Sequence, residues 1–216
     1  MRRSVEFALL FLVLPVLFAL LLRALGEGWF LLPGLWTLAL ICLGILVRDP
    51  SFVRDDLFSF PDVDARSAQL RKMRWRFVPA VAGMALATLW FAPEAFLQLP
   101  LRQPHLWLLV LLGYPLLSAL PQGFIWRVFF VHRYAVLFRS QATQLVVGAF
   151  SFALAHLVFQ NTLAVLATAI GGALFLQTYL ASRSMLLATL EHATYGLAAF
   201  TLGFGRFLYH GAIPMQ

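Results

Sequence analysis

The sequence contains little charge for its length. Asp, Glu, Lys and Arg make up 12% of the 216 residues, and apolar residues make up 62%. Soluble proteins average about 25% charged and 45–50% apolar residues. A chain of this size cannot bury so much apolar surface inside a water-soluble globule. The composition excludes a soluble enzyme, a nucleic-acid-binding domain and a disordered chain, and it predicts a polytopic membrane protein.

Cysteine and acidic residues are also scarce. Cys42 is the single cysteine and lies in an apolar run, so no disulfide can form within the chain and the redox compartment stays open. Nine acidic residues stand against 16 basic ones, which gives a net charge of +7. The positions of the basic residues, considered below, decide what this surplus means.

Long apolar segments dominate what is present. A helix needs about 20 apolar residues to cross a bilayer. We therefore expect an all-α transmembrane bundle of about seven spans, with six to eight as the range. The predicted spans are Phe7–Leu25, Trp29–Val47, Phe77–Phe91, His105–Leu120 with an amphipathic continuation past Pro121 to Phe138, Ala142–Phe159, Thr162–Leu180 and Met185–Gly205.

The basic residues predict the orientation of this bundle. With the N-terminus in the cytoplasm, 12 of the 16 basic residues lie inside, three lie outside and Arg127 lies at membrane depth. This asymmetry favours an N-in topology by the positive-inside rule, and it predicts contact with anionic lipid heads on the cytoplasmic face. The predicted inside set is Arg2, Arg3, Arg48, Arg54, Arg66, Arg71, Lys72, Arg74, Arg76, Arg133, Arg139 and Arg183, and the outside set is Arg23, Arg102 and Arg206.

One long polar stretch interrupts the apolar pattern, at residues 48–76. Its interleaved Phe, Leu and Trp favour a segment that lies along the cytoplasmic interface. A solvated loop between two spans fits the same residues.

Ionisable residues inside the predicted spans are few: Arg127, His156, Glu191 and His192. A charged residue at the centre of a spanning helix costs about 2.5–3.5 kcal/mol, so such groups usually face a cavity or a partner. Two histidines, an arginine and a carboxylate on three helices fit water activation and oxyanion stabilisation inside a bilayer. A proton or ion pathway is the alternative.

Local patterns leave other interpretations open. α-Helical spacing places Gly123 and Arg127 on one face, with Gln122 beside it. Arg127 alone would also fit a side chain that snorkels to the interface. The adjacent residues Glu191 and His192 point about 100° apart, so one of them is expected to orient a neighbour. Gly171–Gly172 is interpreted as close helix packing.

Three strings in the C-terminal half resemble the CAAX-protease and bacteriocin-processing family of intramembrane endopeptidases. They are PQGFIWRVFFVHRY (Pro121–Tyr134), SFALAHLVFQN (Ser151–Asn161) and GGALFLQTYLASRSMLLATLEHATYG (Gly171–Gly196), and the tail around Phe204–Pro214 fits as well. The resemblance covers roughly residues 110–214. It implies N-terminal membrane helices over residues 1–104 and a catalytic helical core over residues 105–216.

The resemblance implies a role for individual residues. The family's EExxxR motif places its arginine on Arg127 and its glutamates on Gln122 and Gly123, neither of which is acidic. Its FxxxH motif maps onto Phe152 and the water-positioning His156. Its last histidine, which stabilises the oxyanion, maps onto His192, and the Asn or Asp that often follows four residues later is Gly196 here. Expected supporting or substrate-binding residues are Glu191, Asn161, Gly123, Phe152 and Trp126.

The amide at position 122 has three explanations. A general base must accept a proton, and a glutamine amide does not do so near neutral pH. Gln122 replaces a native Glu in an inactivated variant, or the chain is a natural pseudoprotease, or Glu191 serves as the acid. Two histidines and a glutamate could also bind zinc, but no HExxH spacing exists, so we expect no metal and no other cofactor.

The resemblance implies an intramembrane endopeptidase of a bacterial inner membrane that cleaves a membrane-anchored or lipidated protein tail near the membrane surface. One alternative is a pseudoprotease that binds peptide tails, as in bacteriocin self-immunity. A small transporter is the other, which the short length and the lack of visible repeats disfavour. No nucleic-acid partner is expected.

Overall fold

The computed structural model describes residues 3–26, 28–53 and 57–208. Within these ranges the chain folds into helices and contains no strand, which confirms the predicted all-α fold. Short 3-10 turns at Pro93–Ala95 and Phe204–Leu208 accompany the main helices. These are α1 (Arg3–Leu25), α2 (Leu31–Leu46), α3 (Val63–Phe91), α4 (Gln98–Arg102), α5 (Pro104–Leu137), α6 (Gln141–Phe159), α7 (Thr162–Ser182) and α8 (Met185–Thr201).

Helices α1, α5, α6 and α7 are long and apolar enough to cross a membrane, and α2 is a shorter apolar helix. The surface has the polarity that a bilayer requires. Trp90 is 82% exposed and Leu112 is 73% exposed, whereas Arg127 is 1% exposed and Glu191 is 0% exposed. Apolar side chains on the outside and ionisable side chains on the inside are typical of a membrane bundle. The polytopic class is confirmed, and the count of seven spans stays a prediction.

The third helix differs from its prediction. It begins at Val63 and not at Phe77, because Asp62 caps it by accepting a hydrogen bond from the Ala65 amide at 2.9 Å. Residues 63–76 are therefore helical and not a loop, and their position along the cytoplasmic interface stays a prediction. They continue the axis of residues 77–91 in one 29-residue helix. Arg54, in the same polar stretch, lies outside the described residues.

Helix α5 passes through Pro121 as one helix, where the sequence predicts an interruption followed by an amphipathic continuation to Phe138. It continues to Leu137 through two π-helical turns, Pro115–Ala119 and Phe124–Phe129. Pro121 has no N–H to donate to the carbonyl group of Leu117, four residues earlier. The Trp36 indole of α2 donates to that carbonyl oxygen at 3.0 Å, so the acceptor is satisfied from a neighbouring helix.

One hydrophobic core joins the two halves of the chain. Phe11 of α1 and Cys42 of α2, each 1% exposed, pack in the same cluster as Phe129 and Phe130 of α5. Glu6 adds a polar link, because its carboxylate accepts hydrogen bonds from Arg133, at 2.6 and 2.8 Å, and from Tyr134, at 2.8 Å. The division at residues 104 and 105 stays a prediction.

Glycines bring α6 and α7 close together. A Cβ at Gly172 would lie 2.9 Å from Phe152 Cδ1, and one at Gly148 would overlap Leu176 of α7. The contact at Gly172 agrees with the close-packing interpretation of the glycine pair. The same contact packs the Phe152 ring against α7, and this ring is part of the candidate site described below.

Candidate active site

The π-helical turn of α5 decides which residues lie beside Arg127. A π turn has backbone hydrogen bonds between residues five apart in place of the four of an α-helix, so the helix is locally wider. Arg127 Nη1 donates to the backbone carbonyl oxygen of Gln122 at 3.1 Å. The shared helix face of Gly123 and Arg127 stays a prediction.

Arg127 lies in the interior and does not snorkel. Its guanidinium carbon stands 4.7 Å from the centroid of the Phe152 ring and 5.3 Å from that of Phe175. Two aromatic faces stabilise a cation that is far from water. Its Nε and Nη2 are buried and have no hydrogen-bond partner, so two donors remain available to a bound group.

The Gln122 side chain leaves one acceptor free. Its Nε2 donates to Ser118 Oγ at 2.8 Å, one turn earlier on α5. Its Oε1 is buried and has no partner. The amide can therefore hold a water molecule through this oxygen, although it cannot take a proton from it.

His156 is oriented by its own helix. Its Nδ1 lies 2.7 Å from the Phe152 carbonyl oxygen. A carbonyl oxygen only accepts hydrogen bonds, so Nδ1 carries the proton and Nε2 of the neutral ring keeps its lone pair. The Phe152 and His156 rings are 4.5 Å apart. His156 thus presents a proton acceptor at Nε2.

His192 enters the same space from α8. Its ring stacks on Phe175 at 4.7 Å and lies 5.5 Å from the Phe152 ring. Its Nε2 is 3.1 Å from the Tyr114 hydroxyl group, and its Nδ1 is buried without a partner. His156 and Arg127 are both close enough to interact with it electrostatically.

These contacts bring three of the four predicted catalytic residues together around one ring, and the fourth, Gln122, contacts Arg127 through its backbone. Phe152 is at the centre, because Arg127, His156 and His192 all contact its ring. The predicted supporting residue Trp126 also packs on it, at 5.7 Å. Gln122 joins through its carbonyl bond to Arg127. The arrangement can hold a water molecule, accept its proton and present hydrogen-bond donors to a developing negative charge.

Two more of the five predicted supporting residues, Asn161 and Glu191, make interactions of a different kind. Asn161 Oδ1 accepts from the amides of Leu163, at 2.8 Å, and Ala164, at 3.3 Å, and so caps α7. Glu191 is 0% exposed and lies close enough to Arg76 and Arg127 to interact with both electrostatically. Its two oxygens are buried without hydrogen bonds. Any contribution of these residues to the chemistry stays a prediction.

The two glycines at expected polar positions, Gly123 and Gly196, each have a close neighbour on another helix. A Cβ at Gly123 would overlap Oγ1 of Thr189 on α8, so this position has no room for a larger side chain beside Thr189. A Cβ at Gly196 would overlap the ring and hydroxyl group of Tyr114. Tyr114 thus occupies the space beside Gly196.

Sequence reasoning missed Tyr114, Phe175 and Ser118, all of which contact the site. Aromatic residues are frequent in this chain, and a serine within an apolar run carries no motif. Gly196 was the available signal, because a small residue at the position of an expected polar one implies that another side chain fills the space.

The described residues contain no group of three His, Cys, Asp or Glu side chains placed to hold a metal ion. His156 Nδ1 lies 2.7 Å from a carbonyl oxygen and is therefore engaged. The expectation of a metal-free site stays a prediction.

A membrane bundle with buried imidazole, guanidinium and amide groups around one ring fits the class of intramembrane hydrolases. Residues 104–198 match the family model of the type II CAAX prenyl endopeptidase Rce1-like proteins, a protease family. The predicted resemblance is confirmed over this segment, which spans α5 to α8. No curated protein and no solved structure matches the chain. The family and the apolar helices together make the chain an integral membrane protein.

Proposed function

We propose that this protein is a CAAX-type intramembrane endopeptidase whose site hydrolyses a peptide bond near the membrane surface. Its substrate is the tail of a membrane-anchored or lipidated protein, and its location is a bacterial inner membrane. The convergence of Arg127, His156 and His192 around Phe152, with Gln122 bound to Arg127 through its backbone carbonyl oxygen, carries the proposal.

The proton of the attacking water is the critical point of the mechanism. Gln122 Oε1 accepts one hydrogen bond from the water, and His156 Nε2 accepts the other. Of these two groups, only the imidazole can take the proton, since an amide oxygen is a poor base. Hydrolysis by the chain as it stands therefore depends on His156, and a carboxylate at position 122 would add a second base.

The remaining groups stabilise charge. As the water adds to the scissile carbonyl carbon, the carbonyl oxygen becomes an oxyanion. When this intermediate collapses, the C–N bond breaks and His156 returns the proton to the leaving amine. Donors fixed in advance at the position of the oxyanion lower the barrier more than donors that must reorient. His192 supplies such a donor, and the cation of Arg127 holds the Gln122 main chain and adds positive potential.

Exchange of Gln122 for glutamate tests the proposal. Ser118 can donate to the new carboxylate as Gln122 now donates to Ser118, so the fold is expected to survive. General bases contribute about 10²–10⁴-fold to rates. We expect Gln122→Glu to raise kcat for a lipidated peptide by roughly that factor in proteoliposomes, measured by mass spectrometry of the products.

Three variants complete the experiment. Gln122→Asn shortens the amide and adds no base, so it should give no gain. His156→Ala in the Gln122→Glu background should lower the gain, because it removes the other base and one of the two groups that hold the water. A folded Gln122→Glu variant that binds the peptide tightly and never cleaves it would contradict the proposal and favour a pseudoprotease. Ion flux that depended on His156 would contradict it in favour of a transporter.

A further inference from the structure

Tyr114 lies at the one hydrogen bond that the His192 ring makes. The hydroxyl group reaches His192 Nε2 at 3.1 Å from α5, and the ring occupies the space beside Gly196 of α8. Phe200, one turn beyond Gly196, packs on the Tyr114 ring at 5.5 Å. The Tyr114 ring packs against Phe200 on one side and against Gly196 on the other. Its hydroxyl group therefore has little freedom to move.

The direction of this hydrogen bond follows from counting buried donors and acceptors. If Tyr114 donates to Nε2, the proton of the neutral ring sits on Nδ1, and one N–H remains without a protein partner. If His192 donated instead, the tyrosine proton and the Nδ1 lone pair would both lack partners, because Nδ1 has none. Buried polar groups are rarely left unpaired, so the first arrangement is favoured.

We infer that Tyr114 is a positioning residue that fixes the proton of His192 on Nδ1 and so turns this ring into a hydrogen-bond donor for the oxyanion. The Nδ1–H group is buried, unpartnered and on the ring that faces Phe152 and His156. An imidazole with the opposite tautomer would present a lone pair to the negative oxygen and would repel it. The catalytic consequence rests on the proposed function, whereas the tautomer itself does not.

The tautomer is measured directly by nitrogen NMR of the protein labelled at histidine, in detergent micelles. The resonances that disappear in His192→Asn identify the ring. We expect His192 to be protonated at Nδ1 in the parent chain and to shift toward the Nε2–H form in Tyr114→Phe. A parent ring protonated at Nε2 would overturn the inference whether or not any variant folds.

Tyr195→Phe is the matched control. Tyr195 also lies on α8, its ring also contacts Phe175, and its hydroxyl group is buried without a hydrogen-bond partner. Loss of this hydroxyl group should leave the His192 tautomer unchanged. Equal shifts in Tyr195→Phe and Tyr114→Phe would overturn the inference, because they would reflect packing and not the hydrogen bond.

Activity gives an independent readout in the Gln122→Glu background. Addition of Tyr114→Phe should lower kcat about tenfold or more with little change in KM, since the oxyanion forms only during reaction. Tyr114→Ala opens the space beside Gly196, and Gly196→Asn can then place an amide there, so the double variant should recover part of kcat. An unchanged kcat in Tyr114→Phe would overturn the catalytic consequence. A shifted tautomer with no cleavage by Gln122→Glu itself would instead contradict the proposed function.

Discussion

Two glycines leave space for neighbouring side chains at the site. Gly123 gives room to Thr189, and Gly196 gives room to Tyr114, in both cases where a Cβ would overlap the neighbour. Each glycine stands at a position where the family motif has a polar residue. In this chain a neighbouring side chain, Thr189 or Tyr114, lies where a larger residue at each position would extend.

The Gly123 contact predicts the effect of a single methyl group. Gly123→Ala should destabilise the protein by about 1–3 kcal/mol, because overpacking a buried site costs that much. Gly83→Ala is the control, since a Cβ there meets nothing within 4 Å and alanine is the better helix former. Thermal unfolding in detergent measures both. Thr189→Ala should relieve most of the loss, and equal stability of the two alanine variants would contradict the account.

At the scale of helices, the sequence predicts that a helix occurs more accurately than it predicts where that helix begins and ends. Apolar length alone identifies α1, α6 and α7, because a bilayer demands it. Apolar length does not identify the first half of α3, because charged residues such as Arg71 and Lys72 favour a helix but lower its hydropathy. It also misses the π turns of α5, which depend on contacts such as Trp36 with Leu117 that no local pattern contains. The sequence motifs identify Arg127, His156 and His192. The contact of Tyr114 with His192 could not be predicted, because it depends on how α5 packs on α8.

Asn161, an expected supporting residue of the site, caps the N-terminus of α7. Asn161→Ala should cost about 1 kcal/mol of unfolding free energy, because α7 loses its N-cap. Asn161→Asp keeps an oxygen in the same place and should retain most of that stability. Chemical denaturation in mixed micelles compares the two. If alanine and aspartate were equally stable, capping would not be the role of this side chain.

At the scale of the whole molecule, the ion pair between Glu6 and Arg133 joins α1 to α5. Its geometry is bidentate, and the side chains are 13% and 23% exposed. Hydrogen bonds to charged groups contribute about 1.5–3 kcal/mol, so Glu6→Gln should destabilise the protein by roughly that amount.

Glu94→Gln is the comparison for this pair. Glu94 is 66% exposed and pairs with Arg206, and exposed pairs contribute about 0–1 kcal/mol. Thermal unfolding of both variants in the same detergent should show the larger loss for Glu6→Gln. Similar losses would mean that the N-terminal helix is held by apolar packing alone.

The burial of Cys42 has a practical consequence for work on this protein. Its thiol is 1% exposed in the core between α2 and α5, so reagents in the aqueous phase or the lipid do not reach it in the folded state. The folded protein without an added cysteine should therefore not react with thiol reagents. A cysteine introduced at either end of a helix would report, through an impermeant maleimide, which compartment that end faces.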